Sequence, residues 1–178
     1  MKIFIAGPRL INELDTKVTD RLDNIFKKNY TVIVGDANGV DNSVQRYFYD
    51  KNYKQVFVFA SNGKARNNIG NWEIINVAVD DNVKGFDFYS AKDLEMAKEA
   101  DYGFMIWNGE SKGTFNNILN LLNLGKELII YYTPSKKFYT IKKTDDFDNF
   151  LEQEVKLNPA LSNLVLKKIG ENRQASMF

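Results

Sequence analysis

The chain has 178 residues, of which 44% are hydrophobic and 26% are charged, so it is long enough for one well-buried domain with a small appendage. Its formal net charge of +1 gives no support for nucleic acid binding. The absence of cysteine and histidine excludes disulfides, thiolate nucleophiles, histidine bases and most transition-metal sites, so we expect no metal and no cofactor. No apolar run approaches membrane-spanning length, and the first residues indicate a strand rather than a signal peptide. We therefore expect a cytoplasmic protein without a membrane partner.

The first part of the chain alternates apolar runs with helical patterns. A strand is predicted at Lys2–Ala6, and an amphipathic helix follows that ends near Asn29. A second strand at Thr31–Val34 is β-branched throughout, which is typical of a strand buried on both faces of a parallel sheet. A turn with two glycines then leads into a helical pattern that extends to Phe48.

The next part continues this alternation after one interruption. A third strand is predicted at Gln55–Ala60, followed by a long polar loop over Ser61–Lys84 with a helical turn around Trp72–Val79. The run Ser90-Ala91-Lys92-Asp93 fits a capping box that begins the next helix. Two further strands are predicted at Tyr102–Trp107 and Leu128–Tyr132, with a helix between them.

This order of elements predicts an α/β fold with a doubly wound parallel sheet of about five strands and helices on both faces. We expect this domain to span residues 1–133 and a small α-rich extension to span residues 134–178. The extension predicts an edge strand at Phe138–Ile141, then an amphipathic helix marked by Phe147, Phe150, Leu151 and Val155. A second helix beyond Pro159 is marked by Leu161, Leu164, Val165 and Ile169, before a frayed tail. The extension either packs on the same domain, which we favour, or lies at the interface of a homo-oligomer.

Three loops that follow predicted strands suit a phosphate-bearing ligand. In open parallel sheets, ligands bind at the carboxyl ends of strands where the winding direction reverses. Two of the loops also precede helices, whose first amides and positive dipole end attract anions. Neither loop matches the P-loop or the dinucleotide fingerprint, so nicotinamide chemistry is not expected. The candidate ligand-binding residues on the three loops are Gly7, Pro8 and Arg9, then Gly35, Asp36, Ala37, Asn38, Gly39 and Asp41, and finally Gly109, Ser111, Gly113 and Thr114.

Several of these residues have a competing interpretation. Arg9 is interpreted as a phosphate partner in preference to a surface cation, because it follows a strand end. Asp41 either caps its helix or binds a sugar hydroxyl. Arg66 and Asn67 are ligand candidates in the polar loop. Trp107 would stack on a base, although an aromatic residue that ends a buried strand more often belongs to the core.

The segment Gly35-Asp36-Ala37-Asn38-Gly39-Val40-Asp41 resembles the GGARGAD loop of the YspA-like group, in the SLOG superfamily named after SMF/DprA and the Lonely Guy enzymes. Asp101, Trp107 and Asn108-Gly109-Glu110-Ser111-Lys112-Gly113-Thr114 are similar to that group's AD…W-x-G-x-S-x-GT segment, and Ala65-Arg66-Asn67-Asn68 is similar to its Arg-Asn element. The resemblance covers about residues 2–132. It implies a Rossmann-like fold and a nucleotide or nucleotide-derived ligand whose phosphate and sugar lie between the two glycine loops.

The sequence departs from the family pattern in two ways. Glycosidase relatives carry a carboxylate shortly after their Gly-Thr, where this chain has Asn116 and Asn117. This departure argues against hydrolysis. Asp36 replaces a usual glycine and adds negative charge beside the predicted phosphate position.

Three functions remain open. The favoured one is a nucleotide-binding module, a sensor or sequestering protein in nucleotide signalling or phage conflict, because the loops are present without the family's carboxylate. The second is an N-glycosidase or transferase acting on a nucleoside monophosphate without a metal, with a carboxylate as nucleophile or general acid. Its weak catalytic candidates are Asp36, Asp41, Asp93 and Glu95, although Asp93 is more simply a capping acid and Glu95 a solvated charge. The third is a protein-interaction module with a vestigial site.

Overall fold

The computed structural model describes residues 1–80 and 82–155. These residues form seven strands and five helices. The strands are β1 (Lys2–Ala6), β2 (Thr31–Val34), β3 (Val56–Ser61), β4 (Glu73–Val77), β5 (Tyr102–Trp107), β6 (Leu128–Tyr132) and β7 (Lys137–Ile141). The helices are α1 (Thr16–Lys27), α2 (Val40–Asp50), α3 (Phe86–Glu99), α4 (Lys112–Asn123) and α5 (Thr144–Val155).

The strands form one sheet with the order β4-β3-β2-β1-β5-β6-β7. Every pair of neighbours is parallel except β6 and β7. β1 pairs with β2 on one side and with β5 on the other, so the winding direction reverses between β1 and β5. The carboxyl ends of these two strands are in register, since Ala6 pairs with Met105. A ligand crevice is expected at this point of a doubly wound sheet.

Helices cover both faces of the sheet, as predicted. On one face, α1 and α2 bury apolar residues such as Leu22 and Val44 against β1, β2 and β3. On the other face, α3, α4 and α5 bury Met96, Ile118 and Phe150 in a second core. The predicted α/β, doubly wound architecture is therefore confirmed.

The sheet has seven strands where the sequence predicted about five. The edge strand predicted at Phe138–Ile141 is present as the antiparallel β7. The helical turn predicted around Trp72–Val79 is wrong, because β4 occupies most of this segment and pairs with β3 from Glu73 to Val77. Pairing with a neighbouring strand is a tertiary effect that overrides local preference.

The capping box predicted at Ser90 is also wrong. α3 begins at Phe86, after Gly85, so Ser90 and Asp93 lie inside the helix. The Ser90 hydroxyl donates a hydrogen bond to the carbonyl of Asp87, 3.1 Å away, rather than capping a helix start. Asp93 therefore has no capping role, and its carboxylate is available for other contacts.

The described part of the C-terminal extension packs on the same core as the sheet. Phe147, Phe150 and Leu151 of α5 are buried in the core beneath α4. The ring of Phe150 lies 4.6 Å from that of Tyr139 and 5.5 Å from that of Tyr132. The helix predicted beyond Pro159 and the frayed tail lie outside the described residues, and the oligomer interface remains a prediction.

Across residues 1–80 and 82–155, no helix combines the length and the apolar character that crossing a bilayer would require.

Candidate functional site

A cleft of about 580 Å³ opens where β1 and β5 end, and we call it the switch-point cleft. Its walls are the loop after β1, the β2–α2 loop with the start of α2, the α3 face from Phe86 to Met96, and the β5–α4 loop with the first two turns of α4. The predicted ligand or catalytic residues that line it are Gly7, Pro8, Arg9, Ala37, Asp41, Asp93, Ser111, Gly113 and Thr114. The fold thus brings together residues from three separate loops.

The β5–α4 loop is held in place by its own side chains. The Asn108 carboxamide oxygen accepts hydrogen bonds from the amides of Glu110 and Ser111, at 3.1 and 2.9 Å. Ser111 is the N-cap of α4, and its hydroxyl oxygen accepts from the amide and the hydroxyl of Thr114, at 3.3 and 3.0 Å. These contacts fix the direction in which α4 leaves the sheet.

The first turn of α4 has the properties of an anion site. The amides of Lys112 and Gly113 have no intrahelical acceptor, because the first amides of any helix lack one, and no acceptor for them lies within the described residues. A Cβ placed on Gly113 would meet no atom within 4 Å, so a ligand can approach this backbone closely. Together with the helix dipole, these amides favour a negatively charged group.

The β2–α2 loop uses its amides within the fold. The Ala37 amide donates to Asp41 Oδ2 at 3.1 Å, and the Val40 amide donates to the Pro8 carbonyl at 3.2 Å. Gly39 begins α2 with a φ of 78°, and a Cβ there would collide with the backbone of Arg9. Asp41 accordingly closes the loop rather than capping the helix. This first glycine loop supports the wall of the cleft, whereas the second offers amides to a ligand.

Beneath the loop lies a group of charges that we call the Lys92 cluster, comprising Lys92, Asp36, Asp41, Asp93 and Arg66. The Lys92 ammonium, whose side chain is 5% exposed, lies 2.8 Å from Asp93 Oδ1 and 3.8 Å from Asp36 Oδ1. Asp36 accepts two hydrogen bonds from the Arg66 guanidinium, at 2.7 and 3.0 Å, and one from the Arg66 amide at 3.0 Å. The negative charge predicted beside the phosphate is therefore balanced inside the fold.

The pKa values in the cluster follow from burial and pairing. Burial raises the pKa of Asp41 to about 6, and the nearby Lys92 charge only partly offsets this effect. Burial also raises the pKa of Asp36, but the hydrogen bonds from Arg66 outweigh it and hold that pKa below its usual value. For Lys92, burial lowers the pKa, whereas Asp93 and Asp41 raise it more, so the ammonium stays charged.

We expect Asp41→Asn to change how stability depends on pH. In the folded chain Asp41 binds its proton with a pKa of about 6 against an ordinary 3.8, so it contributes stability that is fully present below pH 3.8 and is lost as pH rises through 6. At 1.36 kcal/mol for each unit of pKa, the loss is up to about 3 kcal/mol. Urea unfolding between pH 4.5 and 7.5 captures about 2 kcal/mol of this loss, with Asp50→Asn on the same helix as the control for charge. Parallel pH profiles for wild type and Asp41→Asn would contradict this prediction.

Two predicted residues lie elsewhere. Trp107 is fully buried, its ring lies 5.5 Å from that of Phe115, and its indole N–H donates to the Ser111 carbonyl at 3.1 Å. It cannot stack on a base, and instead it supports the start of α4. Glu95 pairs with Lys98 at 2.6 Å and lines a separate groove of about 550 Å³ beside β3 and β4, which removes it from the catalytic candidates.

The remaining candidates act behind the cleft wall. The side-chain Nδ2 of Asn67 donates to the Asp36 carbonyl at 2.8 Å and to Asn38 Oδ1 at 3.1 Å. These contacts fix the polar loop to the β2–α2 loop. The Arg66 guanidinium pairs with Asp36 and also lies 4.6 Å from the centre of the Tyr89 ring. The predicted residues that do not line the cleft are Gly35, Asp36, Asn38, Gly39, Arg66, Asn67, Trp107 and Gly109.

The structure adds residues that the sequence did not indicate. Phe86, Tyr89 and Met96 line the cleft with Asp93, all from α3, and Lys112 and Asn117 do so from α4. Phe86, Tyr89, Asp93 and Met96 recur every three or four residues, which is the spacing of one helix face. This face went unrecognised because the sequence predicts a helix start at Ser90 instead of Phe86. Asn117 follows Thr114 by one turn, which places it on the same side of α4.

No family model and no curated protein matches this sequence. Among solved structures, the chain is similar to DNA processing protein A from Helicobacter pylori, with a TM-score of 0.59 and 12% identity over 94% of this chain and 81% of that chain. That protein is described by its mode of binding single-stranded DNA. At this identity, the likeness shows a shared Rossmann-like fold. The superfamily that the sequence resembles also takes part of its name from DprA, so the resemblance and the structural likeness agree on the fold.

Proposed function

We propose that this protein binds a nucleotide or a nucleotide-derived, phosphate-bearing ligand in the switch-point cleft. The observation that carries the proposal is the first turn of α4, at the point where the sheet reverses its winding: the amides of Lys112 and Gly113 have no acceptor within the described residues, and a Cβ on Gly113 would meet no atom within 4 Å. Helix starts at this position of a doubly wound sheet bind phosphate groups. The ligand phosphate occupies this turn.

Charges around the cleft favour an anion of small size. Arg9 and Lys112 line it and supply positive charge beside the α4 amides. Asp41, Asp93 and Glu110 line the same space, so the cleft as a whole is not a basic channel. This mixture suits one phosphate group with an uncharged remainder better than a long polyanion. The single-stranded DNA bound by DNA processing protein A is therefore a control ligand rather than our first choice.

Aromatic side chains on α3 provide a surface for the base. Phe86 lines the cleft and is 52% exposed, whereas the other phenylalanines among the described residues are buried or half-buried. Tyr89 also lines the cleft, and the guanidinium of Arg9 lies 4.9 Å from its ring centre. We assign base stacking to Phe86, because its exposed ring would lose contact with water on binding.

The biological role that we propose is that of a sensor or sequestering module in nucleotide signalling or phage conflict. This role rests on the resemblance to the YspA-like group. It also rests on Asn116 and Asn117, which stand where glycosidase relatives carry a carboxylate.

A second candidate function is cleavage of an N-glycosidic bond. Its support is Asp93, whose carboxylate lines the cleft opposite the first turn of α4, with Asp41 close by. Two carboxylates are the usual machinery of glycoside hydrolysis. The Asp93 Oδ1 atom is already engaged by the Lys92 ammonium at 2.8 Å within the fold, which favours the binding module over cleavage.

The proposal is tested by thermal stability in the presence of nucleoside monophosphates, cyclic nucleotides, NAD, ADP-ribose derivatives, inorganic phosphate and a short single-stranded DNA. A ligand at 100 times its dissociation constant stabilises the folded chain by about 2.7 kcal/mol. Each ligand is then recovered and its mass measured. Stabilisation with an intact nucleotide supports the binding module, and released free base supports the glycosidase. Stabilisation by the single-stranded DNA alone would mean that the ligand is a nucleic acid and not a free nucleotide. If no ligand stabilises the protein, the proposal fails and the protein-interaction module is the remaining function.

A further inference from the structure

Asn117 carries a buried side-chain oxygen for which the described part of the chain provides no hydrogen-bond partner. It lines the switch-point cleft, it is 4% exposed, and its Oδ1 has no hydrogen-bond partner within the described residues. Buried polar groups are nearly always paired, because an unpaired one has lost its hydrogen bonds to water without replacement. A side chain that is unpaired, buried and beside an open cleft points to a partner that arrives with a ligand.

Gln45 provides the comparison within the same chain. It is also a buried amide, at 0% exposed, but the fold satisfies it completely. Its Nε2 donates to the carbonyls of Gly35 and Asn67, at 2.9 and 3.2 Å, and its Oε1 accepts from the Ile69 amide at 3.0 Å. The chain therefore pairs a buried amide where the role is structural, which makes the unpaired state of Asn117 informative.

The position of Asn117 restricts what it can bind. It follows Thr114 by three residues, so the Cβ atoms of the two side chains lie roughly 5–6 Å apart on the same face of α4, one turn beyond the Gly113 amide. An acceptor oxygen repels phosphate oxygens but accepts a hydrogen bond from a hydroxyl. In a nucleotide, the group next to the phosphate is the sugar, and the base is one ring further away.

We propose that the Asn117 amide is a specificity-determining group that hydrogen-bonds a sugar hydroxyl next to the phosphate on α4. This inference rests on the proposed function, and it specifies a ribose rather than a deoxyribose ligand. The hydroxyl donates to the Asn117 oxygen the hydrogen bond that this oxygen lacks in the unliganded fold.

The test compares the four common ribonucleoside 5′-monophosphates with their 2′-deoxy and 3′-deoxy counterparts by isothermal titration calorimetry. Wild type is expected to bind the ribonucleotide about three- to ten-fold more tightly than one of its deoxy counterparts, which corresponds to one net hydrogen bond. In Asn117→Leu this preference disappears, while affinity for that deoxy nucleotide is kept. Asn116→Leu, on the neighbouring position, keeps the preference.

Stability of the unliganded protein supplies the second readout. Asn117→Leu removes an unpaired polar group, so its urea midpoint is expected to equal or exceed that of wild type, whereas Gln45→Leu breaks three hydrogen bonds and lowers the midpoint. Asn117→Ala repeats the binding comparison if leucine does not fit. Equal binding of ribonucleotides and deoxynucleotides to wild type would overturn this inference but not the proposed function. A preference that survives in both Asn117 variants would do the same. Failure of wild type to bind any of these nucleotides would overturn it together with the proposed function.

Discussion

Replacing Lys92 with methionine is expected to lower the free energy of unfolding by about 3–5 kcal/mol at neutral pH, which is the usual cost of removing one partner from a buried charge cluster. The Lys92 ammonium lies within 4 Å of Asp36 and Asp93, and its charge also acts on Asp41. Methionine fills a similar volume, so the loss measures charge rather than packing. Urea unfolding at pH 7 provides the measurement.

The same variant is expected to recover part of its stability in acid. Without Lys92, the pKa of Asp41 rises further, because the attraction that lowers it is gone. Protonation of the Asp41 carboxylate at pH 5 then removes one of the negative charges that Lys92 no longer balances. Lys98→Met is the matched control on the same helix, since the Lys98 side chain is 49% exposed and its ammonium pairs with the exposed Glu95. Equal unfolding midpoints for Lys92→Met and Lys98→Met would show that the Lys92 cluster does not hold this wall of the cleft together.

Replacing Gly113 with valine is expected to weaken nucleotide binding by at least about 100-fold, because two hydrogen bonds to a charged phosphate are each worth about 1.5–3 kcal/mol. The valine side chain occupies open space beside the first turn of α4, because a Cβ at Gly113 meets no protein atom within 4 Å, and it hinders the approach of a phosphate to this turn. Stability of the unliganded protein should therefore change little. Isothermal titration calorimetry with ribonucleoside monophosphates gives the affinity, and thermal melting gives the stability.

Asn120→Val is the control for this variant, because it places the same side chain on α4 two turns beyond Gly113, at a residue that does not line the cleft. It is expected to bind nucleotides as wild type does. Wild-type affinity in Gly113→Val would mean that the phosphate does not occupy the first turn of α4. Gly39 variants cannot serve this purpose, because any side chain there collides with the backbone of Arg9 and disturbs the fold.

The architecture could be predicted because its signals are local. The β-branched run at Thr31–Val34 and the apolar runs at β1, β5 and β6 indicate buried parallel strands without any knowledge of their neighbours. β4 could not be predicted, because Glu73 to Val77 alternate weakly and become a strand only by pairing with β3. The start of α3 was misplaced because Ser90 and Asp93 imitate a capping box in the middle of a helix.

The candidate site could be located from the sequence but not described in detail. Strand ends and glycines identify the loops, yet whether an amide is free depends on partners that are distant in the chain. The Val40 amide is occupied by the Pro8 carbonyl, and Asp36 is paired with Arg66 across 30 residues. Nothing local to these residues indicates either contact. The unpaired state of Asn117 is likewise a property of the packed fold.

The most direct measurement is a titration of isotopically labelled protein with a ribonucleoside 5′-monophosphate and, separately, with the nucleoside that lacks the phosphate, followed by amide NMR shifts. We predict that the amides of Lys112 and Gly113 shift most, and that they do so only when the phosphate is present. Largest shifts around Phe57 and Ile75, in the groove beside β3 and β4, or no saturable shift at any amide, would contradict the placement of a phosphate-bearing ligand in the switch-point cleft.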